Sequence, residues 1–218
     1  MRIGITQRIS KDPDYGELRA ALSHDWIDYL TNILPDAVLI PIPNKREALD
    51  HWLNEMRLDA LFLSNGNDLG EFSRRDILEE RLIRYAVDRL IPVLGFCRGF
   101  QILNKYFGGT LTLDLKQAIG VSHVNIEHNV IITDQNFANL MGKEEFKVNS
   151  FHNHGVLLDG LSSSLKTFAI AKDSVVEGFF HPELPILGIQ WHPERQNNCE
   201  LENKILIESM MTESKVWQ

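Results

Sequence analysis

Pro92-Val93-Leu94-Gly95-Phe96-Cys97-Arg98-Gly99-Phe100-Gln101 reads as a strand, a sharp turn and a helix. The apolar run from Ile91 to Phe96 has the length and composition of a buried strand. From Phe100 the apolar residues Phe100, Ile102, Leu103, Tyr106 and Phe107 recur at helical spacing until Gly108-Gly109, a good helix stop. Gly-x-Cys-x-Gly at the junction is the cysteine form of a nucleophile elbow, in which glycines let strand and helix approach closely. The positive end of the following helix stabilises a negative sulfur, and the backbone N–H of Arg98 would point at the oxygen of a carbonyl under attack. The competing reading is a small buried apolar cysteine, the commonest fate of the residue type.

Outward from this stretch, strand and helix alternate. Ile3 to Thr6 reads as a first strand, followed by a polar loop through Lys11 and Gly16. Leu18, Ala21, Leu22, Trp26, Leu30 and Ile33 fit one face of a helix. Ala37 to Ile42 is a second strand, and Ala48, Leu49, Trp52, Leu53 and Met56 mark a second helix. Ala60 to Leu63 is a third strand running into the turn-rich Ser64-Asn65-Gly66-Asn67-Asp68. Ser73 or Asp76 can cap a helix carrying Ile77, Leu78, Leu82, Ile83, Ala86, Val87 and Leu90. These strands are apolar throughout, as parallel strands buried on both faces must be, so the class is α/β with an open sheet. Sites in such sheets lie at the carboxyl ends of strands, here after Thr6, after Leu63 and at Cys97. The second half carries β-type runs at 121–133, 146–150, 166–171, 175–180 and 186–191, then a closing helix from Glu202 to about Met211. No repeat or linker divides the chain, and residues 1–218 are expected to form one domain.

Net charge is −8, so a nucleic-acid or anionic-membrane surface would need a local basic patch that the sequence does not show. A small-molecule substrate is expected, with no nucleic acid, membrane or cofactor. Cys97 and Cys199 are far apart and lack Cys-x-x-Cys spacing, which argues against a disulfide scaffold or a zinc-finger site and suits a reducing, cytoplasmic compartment. Cys199 reads as incidental. The N-terminal apolar stretch is too short for a signal peptide, and no segment approaches membrane-spanning length.

A nucleophilic cysteine needs a histidine to take and return its proton, and a third group to fix that imidazole. His181-Pro182-Glu183 and His192-Pro193-Glu194 compete for the role. His192 follows the buried-strand pattern Pro185 to Trp191, which places it at a strand's end, whereas His181 opens a short connection between two β runs. His192 is therefore the expected base. Glu194, two residues on and facing the same way in extended backbone, is its expected orienter. His181 is expected to be a surface histidine.

Gly95-Phe96-Cys97-Arg98-Gly99 followed downstream by Gly188-Ile189-Gln190-Trp191-His192-Pro193-Glu194 resembles the class I glutamine amidotransferase superfamily, and within it the γ-glutamyl hydrolase, peptidase C26-like branch. The resemblance implies a flavodoxin-like three-layer fold, with a mostly parallel central sheet between helices. It also implies a Cys97–His192–Glu194 triad acting on a γ-glutamyl amide through a thioester. Ser64-Asn65-Gly66 is similar to the superfamily's oxyanion loop, which gives Gly66 as second donor beside Arg98. In that loop Asn67-Asp68 departs from the proline and glycine often found there.

Gln101, one helical turn beyond Cys97, could reach the glutamyl group. Asn153-His154-Gly155-Val156 resembles the glutamine-binding segment, implying a contact from Asn153 and backbone groups from Gly155 and Val156. His152 and His154 could instead be a metal pair, but no Cys or carboxylate is placed in the sequence to complete a set, and no metal is expected. Gln7, Arg8, Lys11 and Arg19, with Arg98, would suit a phosphorylated leaving group; the alternative reading is that several are solvated charges. The stretches Ile3 to Arg8 and Asp14 to Arg19 look like those of hydrolases of γ-glutamyl-CDP-amidate from capsule phosphoramidate assembly. That resemblance implies glutamate and cytidine diphosphoramidate as products. The alternatives are a γ-glutamyl-γ-aminobutyrate hydrolase, a glutaminase subunit supplying ammonia to a synthase, and a binding protein without turnover. A hydrolase would require no protein partner.

Overall fold

In the first half the chain forms β1 (Arg2–Thr6), β2 (Arg8–Lys11), β3 (Leu18–Ala21), α1 (His24–Ile33), β4 (Val38–Ile42), α2 (Leu49–Met56), β5 (Ala60–Leu63), α3 (Ser73–Arg89), β6 (Val93–Phe96) and α4 (Arg98–Tyr106). The second half adds α5 (Leu115–Ile119), β7 (Val124–Ile132), α6 (Gln135–Met141), β8 (Glu145–Phe151), β9 (Val156–Leu157), β10 (Lys166–Ala171), β11 (Val175–Phe180), β12 (Ile186–Ile189) and α7 (Glu200–Glu213). The computed structural model describes residues 1–44, 49–213, 215 and 217; the expected helical position Ala48 lies outside them.

A 10-stranded sheet runs in the order β4-β1-β5-β6-β12-β11-β10-β7-β8, with β9 beside β11. From β4 to β12 the neighbours are parallel, and β5, β6 and β12 are buried along their whole length, as their unbroken apolar runs require. From β12 onward the pairings are antiparallel. One face packs on α1, α6 and α7 through Trp26, Leu30, Phe137 and Leu206. The other packs on α2, α3 and α4 through Leu53, Leu82, Phe100 and Leu103. The expected α/β sandwich with helices on both faces is the observed one. Among the described residues no helix is long and apolar enough to cross a membrane.

Two local expectations are corrected. Leu18, Ala21 and Leu22 do not extend the first helix: Leu18–Ala21 pairs with Arg8–Lys11 in a hairpin, and the helix begins after Ser23, whose hydroxyl accepts from the Asp25 N–H. The hairpin is held because Ile9 is buried and the Asn67 side chain bonds both its N–H, at 2.8 Å, and its carbonyl, at 3.0 Å. Asn67 thus joins the loop after β5 to the loop after β1. Neither Ser73 nor Asp76 caps α3, whose N-cap is Phe72; Asp76 lies inside the helix and accepts from the Gly70 N–H instead.

The register Leu63↔Gly95 and Phe96↔Ile189 sets the carboxyl ends of β5, β6 and β12 side by side. The loops after these strands carry Asn65 and Gly66, Cys97, and His192. Sequence-distant residues therefore converge through strand order alone.

Candidate active site

Cys97 sits between β6 and α4 with φ 52° and ψ −99°, a conformation that L residues rarely adopt. It is held there from both sides: its N–H donates to the Ile189 carbonyl at 2.9 Å and its carbonyl accepts from the Gln101 N–H at 3.1 Å. The flanking glycines explain how the turn fits. A Cβ on Gly99 would collide with the Leu63 backbone, and one on Gly95 with the Gly99 carbonyl and Leu103. Cys97 lies at the N-terminus of α4, where Arg98 supplies the first helical N–H.

His192 is buried, and its Nδ1 lies 2.9 Å from Glu194 Oε1. Asn65 Nδ2 lies 2.8 Å from the same ring nitrogen and donates to the same carboxylate oxygen. With the Nδ1 proton on Glu194, Nε2 is the nitrogen left to exchange protons. It has no hydrogen-bond partner among the described residues. Burial pulls the imidazole down, but its interactions with Cys97, and then with Glu194, outweigh it and leave the His192 pKa raised to about 9. The backbone is fixed as firmly as the ring. Asn149 accepts the His192 N–H at 2.9 Å and donates to the His192 carbonyl at 2.9 Å and to that of Gln196 at 3.1 Å.

The loop after β5 is organised by Arg75, which is fully buried. Its guanidinium donates to the carbonyls of Ser64 and Asn65, each at 3.0 Å, and to that of Gly66, while Nε bonds Glu79 at 2.9 Å. In a planar trans peptide the N–H opposes the C=O, so binding the Asn65 carbonyl turns the Gly66 N–H away from Arg75. Gly66 has φ 78°, and the Arg8 side chain packs over it. Burial pulls the Arg75 guanidinium down to about 10, opposed by Glu79, so the group keeps its charge at neutral pH.

The Arg98 side chain does not serve as expected. Its guanidinium is buried and bonded to Glu79 and Asp76, so it is withdrawn from any leaving group, and only its backbone N–H faces the elbow. Arg75, Asp76, Glu79 and Arg98 form a buried charge network; removing one partner from such a network costs about 3–5 kcal/mol. Sequence reading missed Arg75, although Arg75 and Glu79 are an i,i+4 pair among apolar helix positions. Asn65 lay in the quoted loop after the third strand and Asn149 in the β-type run 146–150, and neither was given a role.

The other expected residues divide. Gln101 is buried, donating to the His154 carbonyl at 3.0 Å and lying 3.4 Å from Gln190 Oε1. Asn153 is exposed, its amide 3.5 Å from the Leu113 carbonyl, and His154 Nδ1 lies 3.7 Å from Asp68. Gly155 is corrected: its N–H and C=O are both bonded to Thr112, at 3.0 and 2.9 Å, rather than open to a ligand. Val156 is fully buried in β9 against β11.

Arg8 lines a cavity of about 80 Å³ with Asn65, Glu194 and Arg195, and among the described residues no carboxylate pairs with it. Arg19 is exposed, paired with Asp12 at 3.0 Å and Glu17 at 3.2 Å; Lys11 is exposed on the same hairpin, and the Gln7 carbonyl accepts from Asn44. His152 and His154 do not form a pair. His152 faces His123, His128 and Glu177, so a carboxylate does stand beside it, contrary to expectation. His181 is half-buried against Phe107 rather than on the surface.

The chain is similar to several known proteins. The γ-glutamyl-CDP-amidate hydrolase of Campylobacter jejuni subsp. jejuni serotype O:2 is 34% identical over 203 residues, covering 90% of this chain and 92% of that one. The γ-glutamyl-γ-aminobutyrate hydrolase of Escherichia coli O157:H7 is 30% identical over 171 residues, covering 70% of this chain and 65% of that one. The CTPS glutaminase domain of Trypanosoma brucei, solved with bound acivicin, shares the fold with a TM-score of 0.71 at 15% identity, over 100% of this chain and 96% of that one. The Peptidase C26 family profile matches residues 2–194, and the chain belongs to that family, on a class I glutamine amidotransferase fold.

Proposed function

We propose that the chain is a cysteine-dependent hydrolase of γ-glutamyl amides acting through a thioester on Cys97. We propose further that its substrate is γ-glutamyl-CDP-amidate, cleaved to glutamate and cytidine diphosphoramidate for capsular polysaccharide phosphoramidate biosynthesis. What supports the chemistry is the convergence of Cys97 with an imidazole whose Nδ1 is fixed 2.9 Å from Glu194. What favours this substrate is the 34% identity to the Campylobacter hydrolase over nearly both whole chains.

His192 Nε2 takes the thiol proton, and the sulfur attacks the γ-carbonyl carbon as the C=O electrons move onto oxygen. The N–H groups of Arg98 and Gly66 stabilise that oxyanion. When the intermediate collapses, the C–N bond breaks and the departing nitrogen takes the proton from Nε2, leaving a thioester. Water then gives a proton to Nε2 and attacks the thioester. The second collapse releases glutamate and returns the proton to sulfur. Glu194, with Asn65 bonded to it, holds the ring in one tautomer throughout.

The test offers the isolated enzyme γ-glutamyl-CDP-amidate, γ-glutamyl-γ-aminobutyrate and glutamine in parallel, with Cys97→Ser as control. The nucleotide conjugate should show by far the highest kcat/KM, and Cys97→Ser should release no glutamate from any of them. Arg8→Ala should lower kcat/KM for the conjugate about 10- to 100-fold, the worth of one charge-assisted bond, and hardly change glutamine hydrolysis. Preference for the aminobutyrate conjugate would keep the hydrolase and remove the nucleotide. Activity appearing only when a second protein is added would favour a glutaminase subunit.

A further inference from the structure

Away from Cys97, β7, β8 and β11 bring together groups that no step of the hydrolysis uses. His123 precedes β7, His128 lies on it, His152 follows β8, and Glu177 is on β11. His123, His152 and Glu177 are buried, and the His128 side chain is 16% exposed. One ligand atom from each lies within 4.8 Å of all the others.

His123 Nδ1 and His128 Nε2 each lie 3.4 Å from Glu177 Oε1, and His152 Nε2 lies 3.6 Å from it. None of these four atoms has a hydrogen-bond partner among the described residues. The spacing fits a different bond. Four donors around Zn²⁺ at about 2.0–2.1 Å form a tetrahedron with edges of roughly 3.4 Å.

The outer nitrogens strengthen the case. His123 Nε2 is 2.8 Å from Asp173 Oδ2, His152 Nδ1 is 2.9 Å from the His154 carbonyl, and His128 Nδ1 is 3.3 Å from the Asn129 carbonyl. Each acceptor draws the ring proton outward and leaves a lone pair on the inward nitrogen. This is the carboxylate or carbonyl support that metal-bound histidines characteristically have. Three lone pairs and a carboxylate aimed at one point repel one another unless a cation lies between them. A cavity of about 270 Å³, lined in part by His123, His128 and Asp173, supplies an access route.

We propose that His123, His128, His152 and Glu177 bind one divalent transition metal, with zinc the best match to three imidazoles and a carboxylate. Four protein ligands close the coordination sphere, so the ion is structural and ties β7, β8 and β11 together. It also reaches toward the site: the His154 carbonyl that accepts from His152 accepts from Gln101 as well, in the first turn after Cys97.

The chain, stripped with chelator, would be titrated with Zn²⁺ against a chromophoric competitor, and Co²⁺ would be substituted to read the geometry. Uptake of one ion per chain, with the intense visible absorption of tetrahedral Co²⁺ and a rise in the thermal midpoint, is expected. Asp173→Asn should weaken Zn²⁺ binding about 10- to 100-fold, and His128→Ala, at the partly exposed ligand, by more than that. Glu177→Gln should abolish the Co²⁺ spectrum, while His154→Ala should leave it unchanged. Should Glu177→Gln fail to fold, the wild-type stoichiometry and His128→Ala decide the matter alone. Failure of the wild-type chain to take up stoichiometric Zn²⁺, or equal binding by His128→Ala, would overturn the proposal. The cluster would then be held by a protonated His123 between Asp173 and Glu177.

Discussion

His181-Pro182-Glu183 and His192-Pro193-Glu194 are the same three residues in two surroundings, and the difference lies in what their imidazoles face. The first opens the connection from β11 to β12. Its Nδ1 accepts the N–H groups of Glu183 and Leu184, at 3.1 and 3.0 Å, closing a tight turn. Burial lowers the His181 pKa, and among the described residues no carboxylate is hydrogen-bonded to the ring. The second follows β12 at the strand ends beside Cys97, with Nδ1 on Glu194 and its pKa raised to about 9. Identical side chains thus become a turn-former and, in the proposed mechanism, a proton carrier. What separates them is that in one the following Glu offers its backbone N–H, and in the other its carboxylate.

The largest effect should come from His192→Asn. In the proposed mechanism it removes the base for the thiol and the acid for the departing nitrogen, and it should lower kcat about 10²- to 10⁴-fold in a glutamate-release assay. Circular dichroism should show the fold retained, because Asn149 bonds the backbone of residue 192 rather than its ring. If His181→Asn instead produced the larger loss, the two roles would be exchanged.

A second, intermediate effect concerns pH. His192 has its folded pKa raised from 6.5 to about 9, so the stability contributed by its charged form is fully present below about pH 6.5. It is lost as pH rises through about 9. Thermal midpoints measured across that window should fall for the wild-type chain and fall less for His192→Asn. Activity should decline over the same alkaline range as the imidazolium loses the proton it donates to the leaving group.

The smallest effect sharpens the contrast from the other side. His181→Asn should change kcat/KM less than about twofold, because the Asn side-chain oxygen can accept the same two backbone N–H groups in an Asx-type turn. Its thermal midpoint should move only slightly.

The elbow, the parallel half of the sheet and the placement of His192 after a strand's end were legible because each leaves a local mark: a glycine pair, an apolar run, a strand before a histidine. The hairpin of β2 and β3 was not. Leu18, Ala21 and Leu22 happen to extend the helical stripe of Trp26, Leu30 and Ile33, and the deciding contact is Asn67 on Ile9, which is distant in sequence. For the same reason the Arg98 side chain was misread as a free cation, since Asp76 and Glu79 reach it only once α3 and α4 pack together. The expectation that no carboxylate completes a set with His152 failed because Glu177 arrives through the register of antiparallel strands, which spacing does not reveal. Cys199 was read as incidental, and burial pushing its thiol up to about 12 makes it inert at neutral pH.

The backbone at Cys97 has an evolutionary side. Residues held in such sparsely populated conformations cost on the order of 1–3 kcal/mol, a large part of the net stability of most domains. Glycine would relieve the strain at φ 52° but would remove the sulfur. With Cys97 as the proposed nucleophile, selection for turnover and selection for robustness pull this position in opposite directions. A descendant released from the need for chemistry would drift toward glycine here, gaining thermal tolerance as it lost its activity.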